Sequence, residues 1–400
     1  MSAPSLKADP TTREAGLGSG SAMKFVVLLG LVSLFADMTY EGARSITGPY
    51  LAVLGASATV VGIVSGFGEL IGYALRYLSG RLADRTGRYW TLTILGYCVN
   101  LLAVPLLALA GNWQIAAFLI VIERAGKAIR TPARDAMLSY ATRTMGRGWG
   151  FGLHEALDQT GAMLGPLIVA AALYSKEGYQ TGFALLLVPA LLALATLAVA
   201  CVLYPNPRDL EPVAPRLSAG GFQRPYWIYL AGAACVAAGY ADFPLVAYHF
   251  EKSGSVSPQW IAIFYTIAMG VDGLAALLFG RWFDRSGVSV LVWATTASAF
   301  FAPLVFLDGF YFGLFGAVLW GVGMGAQESI MRAAVAELTP VERRGTAYGT
   351  FNMGFGIAWF VGSAAMGILY DWSVASVVVF SMVMQFAAIP LFRRVVRHPQ

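Results

Sequence analysis

The chain has 400 residues, of which 58% are hydrophobic and only 12% charged, with a mean hydropathy of +0.65. That balance excludes an ordinary set of soluble domains and points to a membrane protein, whose spanning elements must satisfy their own backbone as helices or as a closed barrel. A net charge of +5 is found in many nucleic-acid binders, yet here the basic residues recur as short clusters between apolar runs, which argues against a nucleic-acid partner.

Taken in chain order, residues 1–22 are rich in Ser, Gly, Thr and Ala and read as a disordered cytoplasmic N-terminus. The apolar run after Lys24 is too long for a signal peptide and is expected to stay as the first helix. Runs of roughly 20 residues, uniformly apolar rather than alternating, then predict helices over 24–48, 58–79, 89–110, 113–138, 149–173 and 180–204. A second six follow over 226–249, 258–279, 288–307, 310–336, 346–369 and 373–392. The expected fold is therefore an all-α polytopic membrane protein with twelve transmembrane helices in two pseudo-symmetric six-helix bundles, 23–204 and 226–393. Between them, residues 205–225 hold five prolines and mixed charges and read as a cytoplasmic linker; 394–400 form a cytoplasmic tail. Cys98, Cys201 and Cys235 fall inside predicted spans without metal-ligand spacing. Basic residues collect in the turns after even-numbered helices, which places both termini in the cytoplasm and the chain in the cytoplasmic (inner) membrane.

Two octets bind the halves together. Gly80-Arg-Leu-Ala-Asp84-Arg85-Thr-Gly87 recurs 200 positions later as Gly280-Arg281-Trp-Phe-Asp284-Arg285-Ser-Gly287. The segment Arg147-Gly148-Trp-Gly-Phe-Gly152 is echoed by Arg344-Gly345-Thr-Ala-Tyr-Gly349, and Gly165 matches Gly362 at the same offset. Parallel six-helix repeats of this kind build one class of transporter around a central cavity. The octets are expected to be turns, with Gly80 and Gly87 permitting a tight reversal and Asp84 meeting a helix end or an arginine of the other half.

Charges inside the predicted spans need a reason, since each costs about 3 kcal/mol in the bilayer core. Asp37, Glu41 and Arg44 lie on one stripe of helix one; Glu123, Lys127, Arg130 and Arg134 on one stripe of helix four, with Arg124 and Asp135 beside it; His154, Glu155 and Asp158 adjoin on helix five. Helices three, six, nine and twelve carry none and can face lipid. Depth counting puts Asp37, Arg124 and Asp158 near mid-membrane, so a shared substrate and proton-coupling site is expected from Asp37, Glu41, Arg44, Glu123, Arg124, Lys127, Arg130, His154, Glu155 and Asp158. The bland alternative is that part of this set forms ion pairs holding helices together. Arg134 with Asp135, and Glu328 with Arg332 at i, i+4, are the expected structural pairs.

With these residues on the page, the chain resembles the major facilitator superfamily of secondary transporters. The family's loop motif, Gly-x-x-x-Asp-Arg/Lys-x-Gly-Arg/Lys-Arg/Lys, is matched by Gly80, Asp84, Arg85, Gly87 and Arg88, with Tyr89 in place of the last basic residue. In the second copy Val288 and Ser289 end the match. The resemblance implies that the octets, Arg88 included, are gating elements. Gly161-Ala-Met-Leu-Gly165-Pro166 resembles part of a drug/proton-antiporter motif, but Ile168, Val169 and Ala170 follow instead of its final glycines.

The expected function is a secondary active transporter moving a small molecule by alternating access, with proton-coupled export as the first reading and Asp37 or Asp158 as the proton carrier. Proton-coupled uptake of an organic anion is the alternative. Divalent metal efflux through Asp37, Glu41, His154, Glu155 and Asp158 is a third, opposed by the cations beside them. A channel or an intramembrane enzyme lacks support: neither a His-Glu-x-x-His site nor a nucleophile with its base is present, and no glycine pattern is followed by the Gly-Lys-Ser/Thr of a nucleotide loop. No resident metal or cofactor is implied, and the chain is expected to act as a monomer in the bilayer, with substrate and protons as its partners.

Overall fold

A computed structural model of the chain describes residues 19–142, 147–205, 222–307, 309–339 and 344–397. The described residues are helical throughout, without a strand. The first bundle contains α1 (Ser19–Val53), α2 (Ala58–Thr86), α3 (Tyr89–Leu106) with a short 3-10 turn at Leu107–Leu109, α4 (Trp113–Thr142), α5 (Arg147–Tyr174), α6 (Gly178–Leu185) and α7 (Leu187–Leu203). The second contains α8 (Arg224–Gly239), α9 (Phe243–Ser253), α10 (Pro258–Ser286), α11 (Ser289–Ser298), α12 (Phe301–Phe306), α13 (Phe310–Glu337), α14 (Arg344–Trp372) and α15 (Val374–Arg397). With α6–α7, α8–α9 and α11–α12 each forming one bent pass, twelve passes result among the described residues. Eleven are long and apolar enough to cross a membrane; α4 is as long but is loaded with Glu123, Arg124, Lys127, Arg130, Arg134 and Asp135.

Two elements differ from the sequence expectation. The octets are not turns: α2 and α10 run on to Thr86 and Ser286, so each octet is the last two turns of a helix that outlasts its apolar content. Only the final glycine leaves the helix, Gly87 at φ 65° and Gly287 at φ 56°, a left-handed backbone that a Cβ opposes. Gly80 instead sits within α2, where a Cβ would lie 3.3 Å from Pro132 of α4, and the same position at Gly280 meets open space. The side chain of Asp84 and the linker segment 206–221 lie outside the described residues.

Pass seven is also broken at Tyr240-Ala241-Asp242. Asp242 caps the second segment by accepting a hydrogen bond from Phe243 N at 2.9 Å, and Pro244 follows in the first turn, where its missing N–H costs nothing. The break divides allegiance. α8 packs chiefly on α15 and α14 of its own bundle, whereas α9 packs chiefly on α1 of the other.

Backbone-to-backbone approach at glycine repeats in both bundles. Gly161 and Gly165 of α5 lie against the carbonyls of Leu34 and Met38 on α1, and Gly362 of α14 lies against that of Ala238 on α8, so any side chain there would collide. The Gly161/Gly165 pattern is thus accounted for by helix packing. Small residues likewise join the bundles: Gly48 of α1 abuts the Pro244 carbonyl, Gly62 the Ser363 carbonyl, and Gly367 the Ala58 carbonyl.

Candidate functional site

The two bundles are bonded to each other from midspan to the ends remote from the octets. Arg44 Nη2 donates to Asp242 Oδ1 at 2.6 Å, Tyr265 Oη to Glu41 Oε2 at 2.5 Å, and Gln159 Nε2 to the Met269 carbonyl at 2.5 Å. Farther out, Tyr179 donates to Glu251 at 2.5 Å and Tyr248 to the Ala56 carbonyl at 3.2 Å. Asp371 of α14 accepts from the first amides of α2, Ala58 N at 3.0 Å and Thr59 N at 2.8 Å, and so caps a helix of the opposite bundle.

Below this seal, a cavity of about 110 Å³ lies between the bundles and extends toward the octet ends. The first bundle contributes Tyr40, Glu41 and Arg44 from α1, Glu69, Tyr73 and Arg76 from α2, and Arg124 and Lys127 from α4. Across from them, α13 offers Gln327, Glu328 and Arg332, and α14 offers Phe351, Asn352, Phe355 and Trp359. Its mixed polarity and its position between two bundles are those of a small-molecule site.

The charges form a chain rather than isolated pairs. Arg124 Nη1 is 2.8 Å from Glu69 Oε1, and the same oxygen is 3.7 Å from Arg44 Nη2, which holds Asp242. Arg44 also lies 4.0 Å from Glu41, and Glu41 lies 3.9 Å from Lys127. Lys127 and Arg124 both stand over the Tyr40 ring, at 3.5 and 4.8 Å from its centroid. Side chains buried in low dielectric keep their charge only with such partners. The path runs unbroken from cavity wall to seal.

Of the sequence-predicted set, the structure brings Glu41, Arg44, Arg124 and Lys127 to the cavity. Asp37 does not line it: it is one turn before Glu41 but faces Arg130 Nη2 at 3.8 Å, and the Arg130 guanidinium stacks on Tyr97 of α3 at 4.2 Å. Glu123 turns to α3, accepting from Asn100 Nδ2 at 2.5 Å. His154 shares Ser33 Oγ with Arg134 Nη1, each at 2.9 Å, and Arg134 holds Asp135 at 2.8 Å. Glu155 is exposed, and Asp158 is half-buried with Oδ1 lacking a hydrogen-bond partner. Of the three groups expected near mid-membrane, Arg124 lines this cavity and Asp37 and Asp158 do not, although both stand within electrostatic reach of Lys127 and Arg130. Glu328 and Arg332, expected to pair with each other, both line the cavity, and no ion pair joins them among the described residues. No three potential metal-ligating side chains come together among the described residues.

Sequence reading missed Glu69 and Arg76. Each is a charge inside the apolar run 58–79, the same signal that identified Asp37, and each lines the cavity.

Comparison with known proteins agrees with this architecture. The sequence model of the Major Facilitator Superfamily matches residues 29–255 and 228–400. An uncharacterized protein of Mycobacterium tuberculosis is 41% identical over 378 residues, spanning 92% of this chain and 92% of that protein. An MFS-type efflux pump of Mycolicibacterium smegmatis is 26% identical over 343 residues, 79% of this chain and 76% of that one. Among solved structures, the nucleoside transporter NupG superposes with a TM-score of 0.72 at 15% identity, covering 92% of this chain and 100% of its own. A bacterial homolog of the human lysosomal transporter Spinster, in an inward-facing and unoccupied conformation, gives 0.73 at 14% identity, covering 96% and 98%. At these identities the structural likeness establishes the fold.

Proposed function

The chain belongs to the Major Facilitator Superfamily and is a membrane transporter of small molecules, and on that premise we propose that its transport is driven by protons carried on Glu69. The observation that carries this reading is the shared hold of Glu69 on Arg124 and Arg44, at 2.8 and 3.7 Å, at the wall of the cavity and one contact from the inter-bundle seal. A proton on Glu69 weakens its grip on both arginines, and loss of a cation partner leaves the half-buried Glu69 an unpaired charge that a proton relieves. Proton and substrate therefore act on the same bonds that lead to Asp242. The octet ends face the cytoplasm in this reading, so the conformation described is sealed outside and open inward, and rocking of the bundles reverses it.

The sign of the substrate sets the direction of coupling. An anionic group that takes Arg124 from Glu69 binds together with a proton, which is symport and uptake; a cationic group that takes Glu69 competes with the proton, which is antiport and export. Five lining cations, Arg44, Arg76, Arg124, Lys127 and Arg332, against three lining acids, Glu41, Glu69 and Glu328, favour the first. The relative named as an efflux pump favours the second.

Reconstitution in proteoliposomes enclosing a pH dye, with candidate compounds added in pools, separates the two by the sign of the proton flux. In Glu69→Gln, proton flux is expected to vanish while labelled-substrate exchange across the membrane continues. A Glu69→Gln transporter that remains fully coupled overturns the assignment.

A further inference from the structure

Once the ion pairs of the cavity are made, two cations are left over. Arg44, Arg124 and Lys127 are each engaged by an acid. Arg76 of α2 and Arg332 of α13 have no ion-pair partner among the described residues, and Arg76 Nε is buried without an acceptor. The two arginines come from different bundles and line one cavity. Glu328 is the one lining acid without an ion pair within 4 Å among the described residues; Arg332 is its main electrostatic partner, and the lining cations still outnumber the acids.

Beside these cations runs an aromatic strip. The Arg76 guanidinium stands 5.4 Å from the Tyr73 ring centre, Tyr73 meets Phe355 edge-on at 6.1 Å, and Phe355 meets Trp359 at 5.7 Å. Trp359 lines the cavity, and its Nε1 is buried with no acceptor. A guanidinium is a rigid planar fork suited to carboxylate, sulfonate or phosphate oxygens, and two of them on opposing walls hold one such group from both sides.

Resting on the reading of this cavity as the transport site, we propose that the substrate is an amphipathic organic anion, its aromatic or apolar body lying on Tyr73, Phe355 and Trp359 and its anionic group bridged between Arg76 and Arg332. Such a ligand ties the two bundles together toward the octet ends. Its charge also makes proton and substrate bind together, which is the symport arm of the proposed function.

The test uses the full chain in lipid nanodiscs without a pH gradient, so that it reads binding whether or not transport is proton-coupled. The probes are naphthalenesulfonate and naphthyltrimethylammonium, matched in shape and permanently ionised, followed by their fluorescence anisotropy. Naphthalenesulfonate is expected to bind and the cation not to. Losing one charge-assisted contact is expected to weaken sulfonate binding about tenfold or more in Arg76→Gln and in Arg332→Gln. Arg76→Lys and Arg332→Lys keep the charge without the fork and are expected to lose less, which carries the test if a Gln variant does not fold. Absence of sulfonate binding, preference for the cation, or unchanged affinity in the variants overturns the proposal. A Glu69→Gln transporter that stays coupled overturns the proton reading and leaves this binding result standing.

Discussion

Arg44 and Asp242, on opposite bundles, meet at 2.6 Å with both side chains buried, and Asp242 is also the residue that starts α9 after the break in pass seven. One carboxylate thus serves as helix cap and as inter-bundle bond. Removing one partner of a buried pair costs roughly 3–5 kcal/mol, because the other charge is stranded. Arg44→Gln is expected to lower the melting temperature of the purified protein strongly, and Arg44→Gln with Asp242→Asn to recover a large part of the loss. Equal or additive destabilisation in the double variant counts against the pair as the cause.

Gly48 lies against the Pro244 carbonyl so closely that even a methyl group collides with backbone. Gly48→Ala is expected to hold the bundles apart at the sealed end while leaving each bundle folded. Spin labels on Ser57 and Ser253, both exposed near that end, report it as a longer and broader distance distribution by double electron–electron resonance. An unchanged distribution rejects the steric reading.

Ser33 Oγ serves both His154 Nε2 and Arg134 Nη1 at 2.9 Å, outside the cavity lining. Ser33→Ala leaves two buried groups short of a partner and is expected to cost about 1–3 kcal/mol. Thermal unfolding should register that loss, while the affinity measured for a transported compound stays at the wild-type value. A change in affinity without loss of stability would assign this cluster to the site instead.

Asp37 and Asp158, expected from depth to carry the proton, do not line the cavity. Asp37→Asn and Asp158→Asn are expected to keep pH-gradient-driven transport in proteoliposomes, in contrast to Glu69→Gln. Loss of coupling in either variant with Glu69→Gln still coupled moves the proton site to α1 or α5.

Helix number and the two-bundle fold are legible in the chain, because apolar run length and a 200-residue repeat report them directly. Azimuth is not. Asp37 and Glu41 are four residues apart on one stripe and share Lys127, yet Asp37 also faces Arg130 while Glu41 accepts from Tyr265 of the other bundle, since the neighbours on each side of α1 decide the direction. The octets read as turns in the sequence and are helical in the structure because hydropathy falls where a helix leaves the hydrocarbon, not where its hydrogen bonds stop. The break in pass seven did leave a signal, Gly239 as a stop, Asp242 as a cap and Pro244 as a start, but the run around it is apolar enough to hide the punctuation. Glu69 and Arg76 were visible by composition and became meaningful only with Arg124 placed across from them.

The cap that Asp371 lends to α2 has a different character from the buried bonds of the seal. Asp371 is exposed, so when the bundles part, water can take over the amides of Ala58 and Thr59 and the carboxylate at little net cost. Arg44 and Asp242 have no such substitute until water reaches them. A parting of the bundles is therefore expected to start at the exposed rim and move inward, with the buried Arg44–Asp242 bond the last to break.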